Sequence, residues 1–302
     1  MRSASRRAGP PEGGGVVPAR SEEAAVQRIL QSPSYRRADR DTDFLQRGEL
    51  RPARLQLEFL KPELALAEAG VLATIVVFGG TRIIQAAEAR RRLGQARAAL
   101  AREPSNPDLK RRLAIAERVL AKSHYYDVAR ELGRIVGSSC GGAKACRLAV
   151  ITGGGPGLME AANRGASDVG AKTIGLNITL PEEQLPNPYI TPELCFQFRY
   201  FALRKMHFLL RARALVAFPG GYGTLDELFE TLCLIQTRKI EPLPVILVGQ
   251  EYWRQVFDVD FLVREGAIDP RDVELFWFAE SAEQIWSGIC EWYERAGKPL
   301  CP

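Results

Sequence analysis

The chain has 302 residues, 46% hydrophobic and 25% charged, and its 41 basic and 36 acidic residues leave a net charge of +5. That charge is too small to indicate a nucleic-acid partner, and no apolar run is long enough to span a bilayer. Six scattered cysteines without CxxC spacing and only two histidines argue against a zinc site, so neither a metal nor another cofactor is expected. The thiols are expected to be reduced, as in a cytoplasmic protein.

The first 68 residues are predicted to lie outside the core. Residues 1–22 are rich in Arg, Gly and Pro and are predicted to be a disordered tail. Residues 23–68 mix charges with short apolar stretches, which favours a helical or irregular arm. A single core domain is expected over residues 69–302.

Five short apolar segments within that domain are bounded by Gly or Pro, and their near-continuous hydrophobicity is typical of parallel strands buried on both faces. They are Ala73–Phe78, Leu148–Thr152, Thr173–Ile178, Leu215–Phe218 and Val245–Val248. Helical patterns lie between them at Tyr125–Val136, Leu158–Val169, Phe201–Ala212 and Leu225–Thr237. This alternation predicts an α/β fold, a Rossmann-like doubly wound parallel sheet with helices on both faces.

Two further segments surround this pattern. Residues 83–122 are rich in Ala, Arg and Leu and are interrupted by Pro104 and Pro107, which predicts an inserted helical hairpin with its turn at Glu103–Asp108. Its Arg-rich face is interpreted as a solvated surface or an oligomer contact. The tail from Glu251 to Tyr293 is predicted to form two helices around a short strand near Leu275–Phe278.

Three predicted strands end in glycines and lead directly into a helix. The loops read FGGTR (78–82), TGGGPGLM (152–159) and PGGYGT (219–224). Such loops gather at the carboxyl edge of a parallel sheet, where glycine permits close approach of the backbone and the helix N-terminus favours an anion. One loop alone is explained equally well by tight packing, but three in one domain indicate a phosphate or nucleotide. Neither GxGxxG nor GxxxxGK[ST] is present, which argues against P-loop ATP hydrolysis.

Three charged residues are candidates for chemistry: Glu227 just after the third loop, and Arg204 and Lys205 upstream of it. Thr224 is a candidate helix cap, and Glu227 follows it at the spacing of a capping box, so Glu227 is either a cap or a group that points into the cleft. Arg204 and Lys205 are adjacent on a predicted helix, and at least one of them is free to reach a cleft or solvent. A surface pair is the alternative.

Together, GGGPGLMEAANRGA (153–166), RK (204–205) and PGGYGTLDE (219–227) resemble the LONELY GUY family of cytokinin riboside 5′-monophosphate phosphoribohydrolases. The resemblance covers about residues 72–248, and FGGTR and LPNPYIT look like the longer bacterial branch. Two positions depart from the family pattern: Gly80, where Ser is expected, and Cys233, where relatives often carry Thr.

This resemblance implies a Rossmann-like fold, Arg204 and Glu227 as the catalytic pair, and homodimers or higher homo-oligomers with shared active sites. It also implies that PGGYGT holds the 5′-phosphate and that GGGPG lines the same pocket. The substrate-binding residues expected from the motifs are Gly79, Arg82, Gly154, Gly155, Met159, Glu160, Lys205, Gly220, Gly221, Tyr222, Gly223 and Thr224.

The implied reaction hydrolyses the N-glycosidic bond of an N6-modified adenine nucleoside 5′-monophosphate, releasing free base and ribose 5-phosphate. Glu227 is expected to stabilise the oxocarbenium-like charge, form a covalent adduct or activate water. Arg204 is expected to orient Glu227 by a charge-assisted hydrogen bond and to keep it ionised. The alternatives are an AMP nucleosidase or salvage hydrolase of modified nucleotides, a non-catalytic nucleotide-binding or carrier protein, and a structural oligomer without nucleotide affinity.

Overall fold

The computed structural model describes residues 19–139, 147–179 and 185–301. The chain forms two compact units, one ending at Gln56 and the other beginning at Leu57. The described part of the first unit contains helix α1 (Ala19–Leu30), short helix α2 (Thr42–Gln46) and three single 3-10 turns. Residues 19–22, within the segment predicted to be disordered, are therefore helical, and residues 1–18 of that segment lie outside the described residues. Helix α3 covers Arg51–Glu68.

The second unit is built on one seven-stranded sheet in which every neighbouring pair is parallel. The strands are β1 (Ala73–Phe78), β2 (Leu148–Thr152), β3 (Thr173–Ile178), β4 (Cys195–Phe198), β5 (Ala212–Ala217), β6 (Val245–Val248) and β7 (Trp277–Ala279). Their order across the sheet is β4-β3-β2-β1-β5-β6-β7. The order reverses between β1 and β5, which is the topological switch point where doubly wound sheets bind ligands. The predicted fold class is confirmed.

Burial explains which strands the sequence reveals. Every residue of β1 and β2 is buried, because helices cover both faces there, and their sequences are almost continuously apolar. The edge strand β4 was not predicted, because only Phe196 and Phe198 of its four residues are buried. The helix predicted to end at Ala212 stops at Leu210, and Ala212 instead begins β5.

The helices cover the sheet in two layers with separate apolar cores. One layer contains α6 (His124–Ser139), α7 (Leu158–Asp168) and α12 (Ala282–Arg295). The other contains the end of α3 together with α8 (Phe201–Leu210), α9 (Tyr222–Gln236) and α10 (Gln250–Val256). The carboxyl-terminal prediction needs correction. Two short helices, α10 and α11 (Val259–Arg264), and a 3-10 turn at Pro270–Leu275 precede β7, and α12 is the one helix that follows it up to residue 301, where the description ends.

The insertion is the predicted hairpin, with α4 at Ala86–Arg102 and α5 at Pro107–Ala121. The turn is well defined chemically, because the Asn106 side chain accepts hydrogen bonds from the N–H groups of Asp108 and Leu109 at the start of α5. Along the described parts of the chain, no helix is long and apolar enough to cross a bilayer.

Candidate active site

The three glycine loops meet at the carboxyl edge of the sheet, beside the switch point. The N–H of Gly80 donates to the carbonyl of Pro219 at 2.9 Å, and the carbonyl of Gly80 accepts from the N–H of Leu158 at 3.3 Å. The loop after β1 is therefore joined to the loops after β5 and β2. Together they border a cavity of about 310 Å³, which lies in the size range of small-molecule sites.

Loop residues, helix residues and strand ends all contribute to the wall of this cavity. Its lining consists of Phe78, Gly79, Gly80, Thr81, Gly153, Met159, Asn177, Ile178, Phe201, Arg204, Gly221, Gly223, Thr224 and Glu227. The expected residues among them are Gly79, Met159, Arg204, Gly221, Gly223, Thr224 and Glu227. The structure therefore brings members of all three motifs to one cavity.

The loop after β2 depends on glycine at its end. Gly157 has φ +74° and ψ −127°, a conformation that side chains strongly disfavour. A Cβ there would also lie 2.5 Å from the carbonyl oxygen of Gly80. Glycine at this position thus allows the first two loops to touch.

Hydrogen bonds from buried side chains hold the loop after β2 in place. The Asn187 side chain donates to the carbonyls of Gly154 at 3.2 Å and Gly155 at 3.1 Å, and to Asn163 Oδ1 at 2.9 Å. Thr152 accepts from the N–H of Gly154 at 2.9 Å and donates to Asn163 Oδ1 at 2.7 Å. Sequence reasoning assigned no role to Asn163 or Asn187. The signals available in the sequence were Asn163, an amide on the apolar face of a predicted helix, and Asn187, an amide in the LPNPYIT segment.

Glu227 is not a helix cap. Helix α9 begins at Tyr222, and Gly221 occupies the cap position without any side-chain cap. Glu227 therefore lies in the second turn of α9, and the capping-box interpretation is wrong because the helix starts three residues earlier than predicted. Thr224 is inside the first turn and does not cap it. Glu227 is 3% exposed and faces the cavity.

Arg204 reaches the same place from α8. Its Nη2 lies 3.7 Å from Glu227 Oε1, and the two side chains are 13% and 4% exposed. This separation is too long for the expected hydrogen bond. Arg204 Nε and Glu227 Oε1 are buried and have no hydrogen-bond partner among the described residues. The guanidinium instead lies over the rings of Phe201 and Phe208, at 4.9 and 5.6 Å from their centroids.

Burial dominates the electrostatics of this pair. It raises the pKa of Glu227 from 4.5 to about 7, against the lowering effect of Arg204 and Lys205. Burial also lowers the pKa of Arg204 from its usual value. Arg204 thus favours the ionised form of Glu227, as expected, but burial has the larger effect and brings the pKa of Glu227 to about 7.

Several expected binding residues lie outside the cavity wall. Tyr222 is 93% exposed, and Arg82 also faces solvent. Glu160 accepts a hydrogen bond from the Tyr126 hydroxyl at 3.0 Å. The carbonyls of Gly154 and Gly155 accept hydrogen bonds from the Asn187 side chain instead of lining the cavity. Gly220 lies against Thr224, and its carbonyl accepts from the Tyr252 hydroxyl.

Lys205 points away from its neighbour Arg204. Its Nζ lies 2.9 Å from Asp226 Oδ1 and 3.0 Å from Glu230 Oε2, both on α9. It lines a separate cavity of about 640 Å³. Cys233 also lies elsewhere, exposed at a third cavity of about 200 Å³. The structure thus separates Lys205 and Cys233 from the Arg204–Glu227 pair.

Gly153 belongs to GGGPG, which was expected to line the pocket. The remaining lining residues were not named as candidates: Phe78, Gly80, Thr81, Asn177, Ile178 and Phe201. Asn177 stands out, because it is an amide in the mostly apolar strand β3, one residue before the strand ends. Its Oδ1 is buried and unpartnered within the described chain. A lone amide in an apolar strand was the signal that could have identified it.

The described residues contain no group of three or more His, Cys, Asp or Glu side chains arranged to hold a metal ion. A doubly wound sheet with glycine loops around a buried Arg–Glu pair at its switch point defines a Rossmann-like α/β protein with a ligand cavity.

Comparison with known proteins identifies the family. Cytokinin riboside 5′-monophosphate phosphoribohydrolase LOG3 of Arabidopsis thaliana is 31% identical over 189 residues, which cover 60% of this chain and 82% of the plant protein. LOG1 of the same plant is 30% identical over 183 residues, covering 59% and 80% of the two chains. The chain belongs to this family, the LONELY GUY phosphoribohydrolases, which is a family of hydrolases.

A family profile described as "Possible lysine decarboxylase" also matches residues 159–289. Among solved structures, TM1055 has a TM-score of 0.44 and 21% identity, covering 72% of this chain and 99% of that chain. The molybdenum cofactor carrier protein of Chlamydomonas reinhardtii has a TM-score of 0.40 and 16% identity, covering 75% and 99%.

Proposed function

We propose that this protein hydrolyses the N-glycosidic bond of N6-modified adenine nucleoside 5′-monophosphates. The observation that supports this most is the buried Glu227 carboxyl group beside Arg204, in the wall of a cavity bordered by three glycine loops. Water adds to C1′ as the bond from C1′ to the base nitrogen breaks. The products are ribose 5-phosphate and the free base, which takes up one proton.

The start of α9 is the proposed phosphate site. Gly221, Gly223 and Thr224 line the cavity there, and the first N–H groups of a helix lack partners within the helix. These groups and the positive end of the helix dipole favour an anion. Phosphate binding at this distance from the reacting bond would position the sugar. A nucleoside without the phosphate is therefore expected to be a poor substrate.

Glu227 is the proposed catalytic carboxylate. Its ionised form would stabilise the ribosyl cation, form an adduct with C1′ or remove a proton from water, and the apolar surroundings strengthen each of these interactions. Arg204, held 3.7 Å away without a hydrogen bond at Nε, is placed to contact the bound nucleotide as well as Glu227.

Lysine decarboxylation is not supported by the lining of the cavity. That reaction would use pyridoxal phosphate on a Schiff-base lysine. No lysine is among the described residues that line the cavity, and the neighbouring Lys205 is ion-paired with Asp226 and Glu230.

The test offers AMP, N6-isopentenyl-AMP and adenosine to the wild type and to Glu227→Gln, and separates base and ribose 5-phosphate by chromatography. Release from N6-isopentenyl-AMP by the wild type alone is the expected result. Release only from AMP would make the protein an AMP nucleosidase. Tight AMP binding without release would contradict the proposal and support a carrier.

We also propose that the protein assembles into a homodimer or larger homo-oligomer with shared sites. Tyr222, at the start of α9, is 93% exposed, and Phe201, which lines the cavity, is 49% exposed. Large exposed aromatic side chains beside a site favour burial by a partner. Light scattering of the purified chain is expected to give at least twice its mass of 33.4 kDa, and a monomer would contradict this.

A further inference from the structure

The amino end of α8 is capped by a carboxylate from another helix. Glu58 Oε1 of α3 accepts hydrogen bonds from the N–H of Arg199 and, at 3.1 Å, from the N–H of Tyr200. Tyr200 is the cap residue of α8, and its own side chain makes no cap bond. A carboxylate at this position satisfies terminal N–H groups and opposes the positive end of the helix dipole. Glu58 therefore stabilises the amino end of α8.

The same helix also contacts the other end of α8. Glu63 Oε1 accepts a hydrogen bond from Arg211 Nη1 and lies 3.3 Å from His207 Nδ1. The His207 side chain is fully buried, with the rings of Phe59 and Phe198 at 5.1 and 5.4 Å. Two acidic residues of α3 thus hold the ten-residue helix α8 near its two ends.

Arg204 lies between these two contacts and depends on α8 for its position. Its guanidinium is stacked over Phe201 and Phe208, which belong to the same helix. Its Nε has no hydrogen-bond partner in the described chain, and its ion pair with Glu227 spans 3.7 Å. A shift of α8 would therefore move Arg204 relative to Glu227 without a competing hydrogen bond to hold it.

We propose that Glu58 is a positioning residue for Arg204, acting through the amino end of α8, with Glu63 holding the other end. This inference rests on the proposed function, because it assigns Glu58 a place in the same reaction. Neither glutamate lines the cavity among the described residues, so the effect is transmitted by the helix rather than by contact with substrate.

The kinetic test compares Glu58→Gln and Glu58→Ala with Glu68→Gln, an exposed carboxylate on the same helix. Misplacement of a catalytic group by about 1 Å lowers turnover about 100-fold. We therefore expect Glu58→Ala to reduce kcat by about 10- to 100-fold, with a smaller effect on KM. Glu58→Gln, which keeps an acceptor oxygen, is expected to recover part of the loss. Glu68→Gln is expected to behave like the wild type.

A second measurement is independent of turnover. The pKa of Glu227 can be measured by NMR with labelled glutamate carboxyl carbons. This pKa depends on the charged neighbours of Glu227, which are Arg204 and Lys205 on α8 and Asp226 and Glu230 on α9. Because Arg204 lowers the pKa of Glu227, its displacement in Glu58→Ala is expected to move this titration to higher pH. Glu58→Gln is measured in the same way and decides the question if Glu58→Ala does not fold.

The two outcomes separate the inference from the proposed function. A wild type that releases no base from any nucleotide would contradict the proposed function, while the titration would still report whether Glu58 positions Arg204. A folded Glu58 variant with unchanged Glu227 titration would overturn the positioning role, even in an active enzyme.

Discussion

Arg204 and Glu227 approach each other from α8 and α9 to 3.7 Å, and both are largely buried. They are coupled by charge without the hydrogen bond that usually accompanies a buried pair. Glu227 Oε1 and Arg204 Nε are both buried and have no hydrogen-bond partner among the described residues.

Removing the carboxylate should abolish most turnover. Glu227→Gln keeps the shape of the side chain but loses its charge and basicity, so kcat is expected to fall by about 100- to 10,000-fold, the usual contribution of such a group. Asp226→Asn, the exposed neighbour that pairs with Lys205, is the matched control and should retain most activity. The rate of base release is measured for all three proteins. Equal rates in the wild type and Glu227→Gln would show that Glu227 has no catalytic role.

The pH dependence of turnover should report Glu227. Because burial raises the pKa of Glu227 to about 7, kcat/KM is expected to rise as the pH increases through about 7, if the ionised form is active. Arg204→Met should move that rise to higher pH, since Arg204 lowers the pKa of Glu227. A profile without a rise between pH 5 and 9 would contradict an ionised catalytic Glu227.

The free energy of unfolding should also depend on the titration of Glu227, but it should fall as the pH rises, whereas kcat/KM increases. The pKa of Glu227 is raised in the folded protein, so the stabilisation is fully present below its unfolded value of 4.5 and is lost as pH rises through about 7. At 1.36 kcal/mol per pH unit, this shift corresponds to about 3 kcal/mol.

Glu227→Gln lacks this titration. Its free energy of unfolding should therefore increase relative to the wild type between pH 5 and pH 8, by up to about 3 kcal/mol. Urea unfolding of both proteins at the two pH values measures the difference, and a constant difference would show that Glu227 titrates normally in the fold.

Much of the fold was accessible from sequence because its central strands are buried on both faces. The bounds of β1, β2, β3 and β6 agree with the apolar runs that predicted them. The edge strand β4 escaped because exposure of its outer face replaces the apolar run with alternation.

The site was less accessible, because helix starts and side-chain directions depend on packing. Glu227 has the spacing of a capping box, yet the N-cap of α9 is Gly221, three residues before Thr224. Arg204 and Lys205 are adjacent in sequence, but about 100° apart on the helix. Contacts with α9 decide that Arg204 faces the cavity and Lys205 does not. No local pattern in one sequence contains these contacts.

Lys205 should therefore contribute little to substrate binding. It is paired with Asp226 and Glu230 at a separate cavity, so Lys205→Gln is expected to change KM for the nucleotide by less than about threefold. Loss of the partly exposed ion pairs should lower the free energy of unfolding by about 1 kcal/mol or less. Steady-state kinetics and urea unfolding test both statements, and a tenfold rise in KM would place Lys205 in the substrate site after all.

Gly157 should be essential for the geometry of the loops. In Gly157→Ala, the new Cβ would lie 2.5 Å from the carbonyl oxygen of Gly80 and 2.7 Å from backbone atoms of Thr81, in a backbone conformation at φ +74°. Gly170→Ala is the matched control, since Gly170 has φ +70° but no atom within 4 Å of its Cβ position. The control should lose about 1 to 2 kcal/mol from backbone strain alone and keep its activity.

Gly157→Ala should be less stable than the control and should bind AMP at least tenfold more weakly, because the first loop is pushed away from the cavity. Calorimetric titration with AMP, combined with urea unfolding, separates strain from collision, and equal behaviour of the two variants would show that the contact between Gly157 and Gly80 does not shape the site.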